Sequence, residues 1–508
     1  MYSEKKHIIE KVFLEVNMPN EKEALRIQNN VGVYAQEKLI PILEELFDEY
    51  DKGTDIIRFD RLDIDFSVQD WEDEVSLKFY LTEKLKAQLG RGVNGNFQKP
   101  ETKEKNDSDD EEKQIVDQQQ NHHATFLFFI EKGYLPWFGK QEYISELTAE
   151  NNWKENLANA NFLTELKKLA QNRTSAIKRL VLQFSDEVIV DFLAALNEVK
   201  IKEKSKLLNF LLSSETEFRN TFLEGLIMLS VKVCSEKEFI VKILELLYIR
   251  RNQQTINRSA ITDKIKSMND SLRTCFLQDS VFRYFDEEEV EAAVAELIEN
   301  KIEIKSGKGP NKLANSIQDQ KPTIENDEFV SKEKQSPFFD KGNQNILVKN
   351  AGLVILGPFL PAFLNQFNWI SENGKIKNNA KIEVVQAIHY CATGNEQFFE
   401  GDLVLEKFLS GVPLQTTLPV ASLLNDNIKK EANNMLSEVI KNWPALKNTG
   451  ADGLRQLFLD RNGKLTKTEH GFKLIVERKA QDILLDKIPW NISLLKLPWR
   501  EELLFIEW

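Results

Sequence analysis

Residues that could do chemistry are sparse in this 508-residue chain. The word GRGVNG, with glycines at 90, 92 and 95, has the spacing of a dinucleotide-binding loop. That loop works when a strand precedes it and a helix follows, so that backbone N–H groups meet a pyrophosphate. Here the word follows a helical pattern and opens a polar stretch, so it reads as linker glycine. His122 and His123 are adjacent, and neighbours cannot share one helix face, so they read as surface decoration. His389 and Cys391 are two positions apart on an expected helix, a spacing whose side chains do not face each other. Asp60, Asp63 and Asp65 lack the central Gly and closing Glu of a calcium loop. Asp63 and Asp65 alternate with Ile64 and Phe66 and read as the solvated face of a strand. Glu477 and Asp482, beside Arg478 and Lys479, have the residue types of an acid/base pair, but surface ion pairing is the expected use. The chain contains no GxSxG, HExxH, CxxC or GxxxxGK[ST]. The expectation is a protein that is not an enzyme and holds no cofactor or metal.

The bulk composition narrows the classes further. Acidic residues outnumber basic ones by 80 to 67, giving a formal charge of −13. Nucleic-acid binding needs clustered Lys and Arg to displace counterions, and no basic stripe is present. The longest apolar run, 351–364, is too short for a bilayer and is broken by Gly357, Pro358 and Pro361. Stable membrane insertion is therefore not expected. Cys234, Cys275 and Cys391 are far apart and odd in number, which fits a reducing cytosol better than a disulfide framework. The N-terminal residues lack the apolar core of a secretory signal, so the chain is expected to be made and kept in the cytosol.

The elements that would position these residues divide the chain into five stretches. Residues 6–90 predict a β-α-β-α unit: a strand at 7–17, a helix at 21–50, a strand at 55–66 and a helix at 71–89. Ile27, Val31, Tyr34, Leu39, Ile42, Leu46 and Tyr50 recur close to one helical face, and Pro41 should kink that helix. Residues 91–123 read as a disordered charged linker. Residues 124–300 predict a helical bundle or solenoid, with helices near 163–171, 176–184, 187–199, 204–213, 219–232, 236–249 and 286–300. Residues 301–336 read as a second flexible linker. Residues 337–508 predict a C-terminal helical unit with helices at 348–369, 382–393, 403–409, 426–442 and 452–459. It ends in a small β-containing subdomain with strands at 464–468, 472–477 and 503–508. The fold class is mainly α, with small α+β units at both ends and two polar linkers. Trp490, Trp499, Phe505 and Trp508 near the terminus are candidate partner-binding residues, because aromatics anchor interfaces. Packing of the small sheet is the competing use for them.

Several words in order resemble the contractile injection system tape-measure family. They are HIIEKVFLEV at 7–16, IIRFDRLDIDF at 56–66, FIEKGYLPWF at 129–138 and NAGLVILGPFLPAF at 350–363. LEKFLSGVPL follows at 405–414, then NWPALKNTGADGLRQLFLDRNGKL at 442–465 and VERKAQDILLDKIPWNISLLKLPWREELLFIEW at 476–508. The resemblance implies a structural assembly protein of a phage-tail-like particle, lying inside the tube and setting its length. It implies inner-tube, baseplate or hub, and tube-terminating cap proteins as partners, and a place in the tube of the released particle. An assembly chaperone or baseplate adaptor of the same particle is the alternative. A ruler written as one helix would reach roughly 760 Å, whereas a stretched chain would reach about 1,700 Å. The end units, with their strands and aromatics, are expected to anchor, and the middle and linkers to supply reach.

Overall fold

Short polar breaks between amphipathic stretches dictate most of the architecture. The computed structural model describes residues 7, 35–50, 56–59, 64, 74–90, 113–196, 201–234, 238–239, 242–243, 275, 345–446 and 448–508. The expected strand at 7–17, the first half of the helix at 21–50, and the helices at 236–249 and 286–300 lie outside these residues, wholly or nearly so. So do the 301–336 linker, the loop glycines 92 and 95, and Asp60, Asp63 and Asp65. The described chain is mainly helical with a five-stranded sheet near its C-terminus. It divides into two compact units, Met1–Ala124 and Thr125–Trp508.

In the first unit, α1 (Ile40–Tyr50), with Leu39 just before it, and α2 (Glu74–Gly90) set Leu39, Leu43 and Leu46 against Leu77, Leu81 and Leu85. Three- and four-residue spacing places each trio on one face. A π-helical turn, Ala35–Leu39, precedes α1. Pro41 has no N–H to give the carbonyl of Glu37, so the helix widens there. β1 (Ile56–Phe59) pairs antiparallel with β2 (Lys113–Val116). β2 lies inside the stretch expected to be a linker, where Ile115 and Val116 raise the strand propensity. The next helix, α3 (Gln118–Lys132), also begins within that stretch. Asp117 caps it by accepting the Gln120 N–H at 2.7 Å.

The second unit contains a helical layer and a C-terminal part. The layer runs through the end of α3, α4 (Gln141–Thr148), α5 (Glu150–Ala158), α6 (Ala160–Asn172), α7 (Thr174–Gln183), α8 (Asp186–Leu196), α9 (Lys204–Leu212) and α10 (Thr216–Ser230). Sequence periodicity predicts α6 to α10 closely but not α4 and α5. α5 is mostly polar, and Trp153 with Leu157 anchors it. The Trp153 ring lies among Phe126 and Phe162, and its Nε1 donates to the Val188 carbonyl at 2.9 Å. Asn159 caps α6 by accepting the N–H groups of Asn161 and Phe162.

The C-terminal part begins with β3 (Asn345–Val348) and a 3₁₀ segment, Ala351–Leu356. Its helices are α11 (Leu360–Gln366), α12 (Lys381–Thr393), α13 (Val404–Leu409), α14 (Asp426–Asn442) and α15 (Ala451–Leu454). β4 (Gly463–Thr468) and β5 (Gly471–Val476) form a hairpin, a 3₁₀ segment covers Ala480–Lys487, and β6 (Leu494–Leu495) and β7 (Leu504–Glu507) close the sheet. The sheet order is β3-β4-β5-β7-β6, with β5 and β7 parallel and every other pair antiparallel. The expected helix at 348–369 divides into β3, the 3₁₀ segment and α11, with Pro358 and Pro361 punctuating it. Gly352 allows the closest approach: a Cβ there would lie 1.7 Å from the Phe458 carbonyl oxygen. Trp443, fully buried, sits at the centre against Phe458, and its Nε1 donates to Leu484 O at 3.1 Å.

Candidate functional site

Charge inside the second unit concentrates where the helical layer meets the C-terminal part. Arg179 lies on α7 in the run AIKRLVLQF, on the face that points away from water, and is fully buried. Its Nη1 donates to Ile130 O at 2.5 Å and its Nη2 to Gln415 O at 2.8 Å. Its Nε donates to Glu400 Oε1 at 3.2 Å. Glu400, in the 3₁₀ turn Glu400–Asp402, also accepts from Lys407 Nζ at 2.8 Å and from the Leu418 N–H at 3.4 Å. Lys407 lies on α13 and donates to Leu414 O at 2.9 Å. Gly133 follows α3 with φ +80°, and a Cβ there would meet Arg179 Nη2 at 2.5 Å. The bare glycine therefore lets the guanidinium reach across. Burial pulls the Lys407 ammonium down to about 8, against the pull of Glu400 in the other direction.

A second polar group sits beside this one. Glu406, also on α13 and buried, accepts from Asn350 Nδ2 at 2.7 Å and lies 3.4 Å from His389 Nδ1. Lys349 pairs with Asp402 at 2.7 Å, yet burial raises the Asp402 carboxyl above its usual range. His389 and Cys391 are both buried on α12, but His389 faces Glu406. Burial pushes the Cys391 thiol up to about 12, so it is an inert core residue. Among the described residues no group of three or more His, Cys, Asp and Glu could hold a metal ion. Glu477 and Asp482 do not form an acid/base pair. Asp482 pairs with Arg461 at 2.6 Å and accepts the Lys479 N–H, whereas Glu477 accepts the Asn462 N–H at 3.2 Å. Arg461 is fully buried, so this ion pair is not simply a surface one. His122 and His123 stand on consecutive positions of α3.

The four terminal aromatics take different positions. Trp490 is half-buried, with Nε1 donating to Ile355 O at 3.1 Å and its ring edge-on to Phe359. Trp499 Nε1 donates to Leu409 O at 2.6 Å. Trp508 is half-buried beneath the Arg461 guanidinium, 5.6 Å from the ring centre. Phe505 points outward from β7 and is 39% exposed. Alternation along the strands buries Phe472, Leu474 and Val476 of β5 and Leu504 and Ile506 of β7. The opposite face follows the register in two rows: Leu347, Lys464, Ile475 and Glu507, then Asn345, Thr466, Lys473, Phe505 and Leu494. Leu347, Ile475, Leu494 and Phe505 are exposed there, with Lys473 paired to Glu507 at 2.5 Å.

Sequence reasoning misses Arg179, Glu400 and Lys407. The available signal was a charged residue on the apolar side of a helix, as in AIKRLVLQF and LVLEKFLSGV. Among the described residues no helix is long and apolar enough to cross a membrane.

No curated protein and no solved structure matches the chain. The family model described as contractile injection system tape measure protein matches residues 6–508. That match takes in both compact units, and the chain belongs to the contractile injection system tape measure protein family.

Proposed function

We propose that this chain sets the length of the inner tube of a contractile injection particle, with its end units as anchors and its middle as reach. The observation that carries the reading is the match of one tape-measure family model to residues 6–508. The buried clusters support it, because an anchor needs a folded core of its own, and the first unit and the C-terminal part of the second each have one. The partners are the tube, baseplate and cap proteins of the particle, met during assembly in the cytoplasm and kept inside the tube. Of the four terminal aromatics, Trp490 and Trp499 commit their indole N–H groups to backbone carbonyls and act through the core. Phe505, exposed on the outer face of β7, supplies apolar surface for a partner protein, and Trp508 packs on the core under Arg461 at the end of the same strand.

The test is genetic. Point substitutions Phe505→Ala and Trp508→Ala in the native gene cluster should lower the yield of full-length particles while the purified chain stays folded. Normal yield and normal length from both variants would remove the C-terminal anchor from the reading.

A further inference from the structure

We propose that the helical layer and the C-terminal part of the second unit separate as two intact bodies along the charged seam, Arg179 leaving the Glu400–Lys407 clasp. The clearest sign is how little apolar surface crosses the boundary. The buried side chains form one cluster in the C-terminal part and another in the helical layer. Among the described residues, only Phe128 and Tyr134 of the layer join the C-terminal cluster, and only Phe399 of the C-terminal part packs on the layer. What crosses elsewhere is polar: Arg179 to Glu400 and to Gln415 O, and Gln183 Nε2 to Leu418 O at 2.6 Å.

That chemistry is unusual for a permanent core. A buried ion pair stabilises no more than apolar residues of the same volume, because each charge gives up its hydration. The same charges are favourable on surfaces that must be wetted after parting, since the guanidinium, carboxylate and ammonium regain water and no large apolar patch is left open. Each body keeps its own core when the seam opens: Trp153, Phe162 and Phe222 on one side, Trp443, Phe408 and Leu474 on the other. The strap at 414–418 receives Arg179 and Gln183 of the layer through its carbonyls, so one short segment releases both, while Lys407 of the C-terminal part stays with it. In its use this inference rests on the length-setting reading, since a stored chain that follows a tube must lengthen. The separation itself is a property of the free protein.

Spin labels on the full chain test it without any particle. Glu165→Cys on α6 and Lys467→Cys on β4 are exposed sites, and Cys234→Ser removes the half-buried native thiol. The parent should show one inter-label distance. Arg179→Glu sets two carboxylates against each other and should raise the open population by about a hundred- to a few-thousand-fold. A longer distance should then dominate while far-ultraviolet circular dichroism is unchanged. An unchanged distance, or loss of helicity together with the distance, would overturn the proposal. The variant Arg179→Met/Glu400→Leu/Lys407→Met gives a second reading. It should hold the short distance at urea concentrations where the parent already shows two distances, and opening at the same urea as the parent would overturn the proposal. Particle length plays no part in either reading, so a failure here is distinct from a failure of the length-setting function.

Discussion

Glu400→Gln is the sharpest single perturbation of the seam. It removes the carboxylate between two cations that are fully buried, Arg179 and Lys407. Breaking a buried pair from one side costs about 3–5 kcal/mol. The two cations share that cost unequally. Arg179 cannot shed its proton and stays an unpaired buried guanidinium. Lys407 can, and the folded chain already holds it at about 8 rather than its ordinary 10.5. Loss of Glu400 drives it lower still, because Glu400 is what raises it. Its share is therefore capped at the free energy of deprotonating it, about 1 kcal/mol at pH 7, and near zero at pH 9 where it is already neutral in the parent. The expected result is a loss of roughly 3–5 kcal/mol at pH 7 in the urea-driven opening of the seam, read from the inter-label distance, smaller by about 1 kcal/mol at pH 9. A loss below about 1 kcal/mol, or an equal loss at both pH values, would refute the reasoning that a desolvated charge triad pins the layer.

Further predictions follow from single residues. Because the folded Lys407 value lies below 10.5, the folded state binds fewer protons between about pH 8 and 10.5, so stability gains from this residue as pH rises through that window. Lys407→Met should abolish that gain in unfolding titrations. Gly133→Ala forces a side chain onto a left-handed backbone against Arg179, and should lower stability by about 1–3 kcal/mol in thermal melts. Trp443→Ala should cost about 3–5 kcal/mol, seen as an earlier unfolding of the C-terminal part. Thiol titration of the native protein at pH 8 should label Cys234 first and leave Cys391 unreacted until unfolding.

How far the sequence predicts this molecule depends on where the information sits. α12 and α14 are legible to within a residue or two, because their apolar faces repeat inside a single segment and Gly394 or Asn425 marks an end. The β4–β5 hairpin is legible for the same local reason, its turn lying beside Gly471. β2 is hidden by the charges around it, and it pairs with a strand more than fifty residues away in sequence. α4 and α5 are hidden because their helicity depends on buried anchors such as Trp153 rather than on a long apolar stripe. The parallel pairing of β5 with β7 depends on a chain crossing that no local pattern records. The seam is the extreme case: Arg179 and Glu400 lie 221 residues apart, and neither sequence context names the other. The terminal tryptophans are legible as important, but Trp490 and Trp499 turn out to hold backbone carbonyls of the core.

The central claim, that this chain sets tube length, is tested most directly by particle length in electron micrographs. Residues 140–299 should be duplicated in tandem in the native gene cluster, and deleted in a parallel strain carrying Glu400→Leu and Lys407→Met so that no lone buried charge remains. The segment of about 160 residues would change length by roughly 240 Å as helix or roughly 530 Å fully extended. The account predicts longer particles from the duplication and shorter ones from the deletion, within those bounds. Particles of unchanged length from both strains would contradict it and leave the chain an initiator or chaperone of assembly.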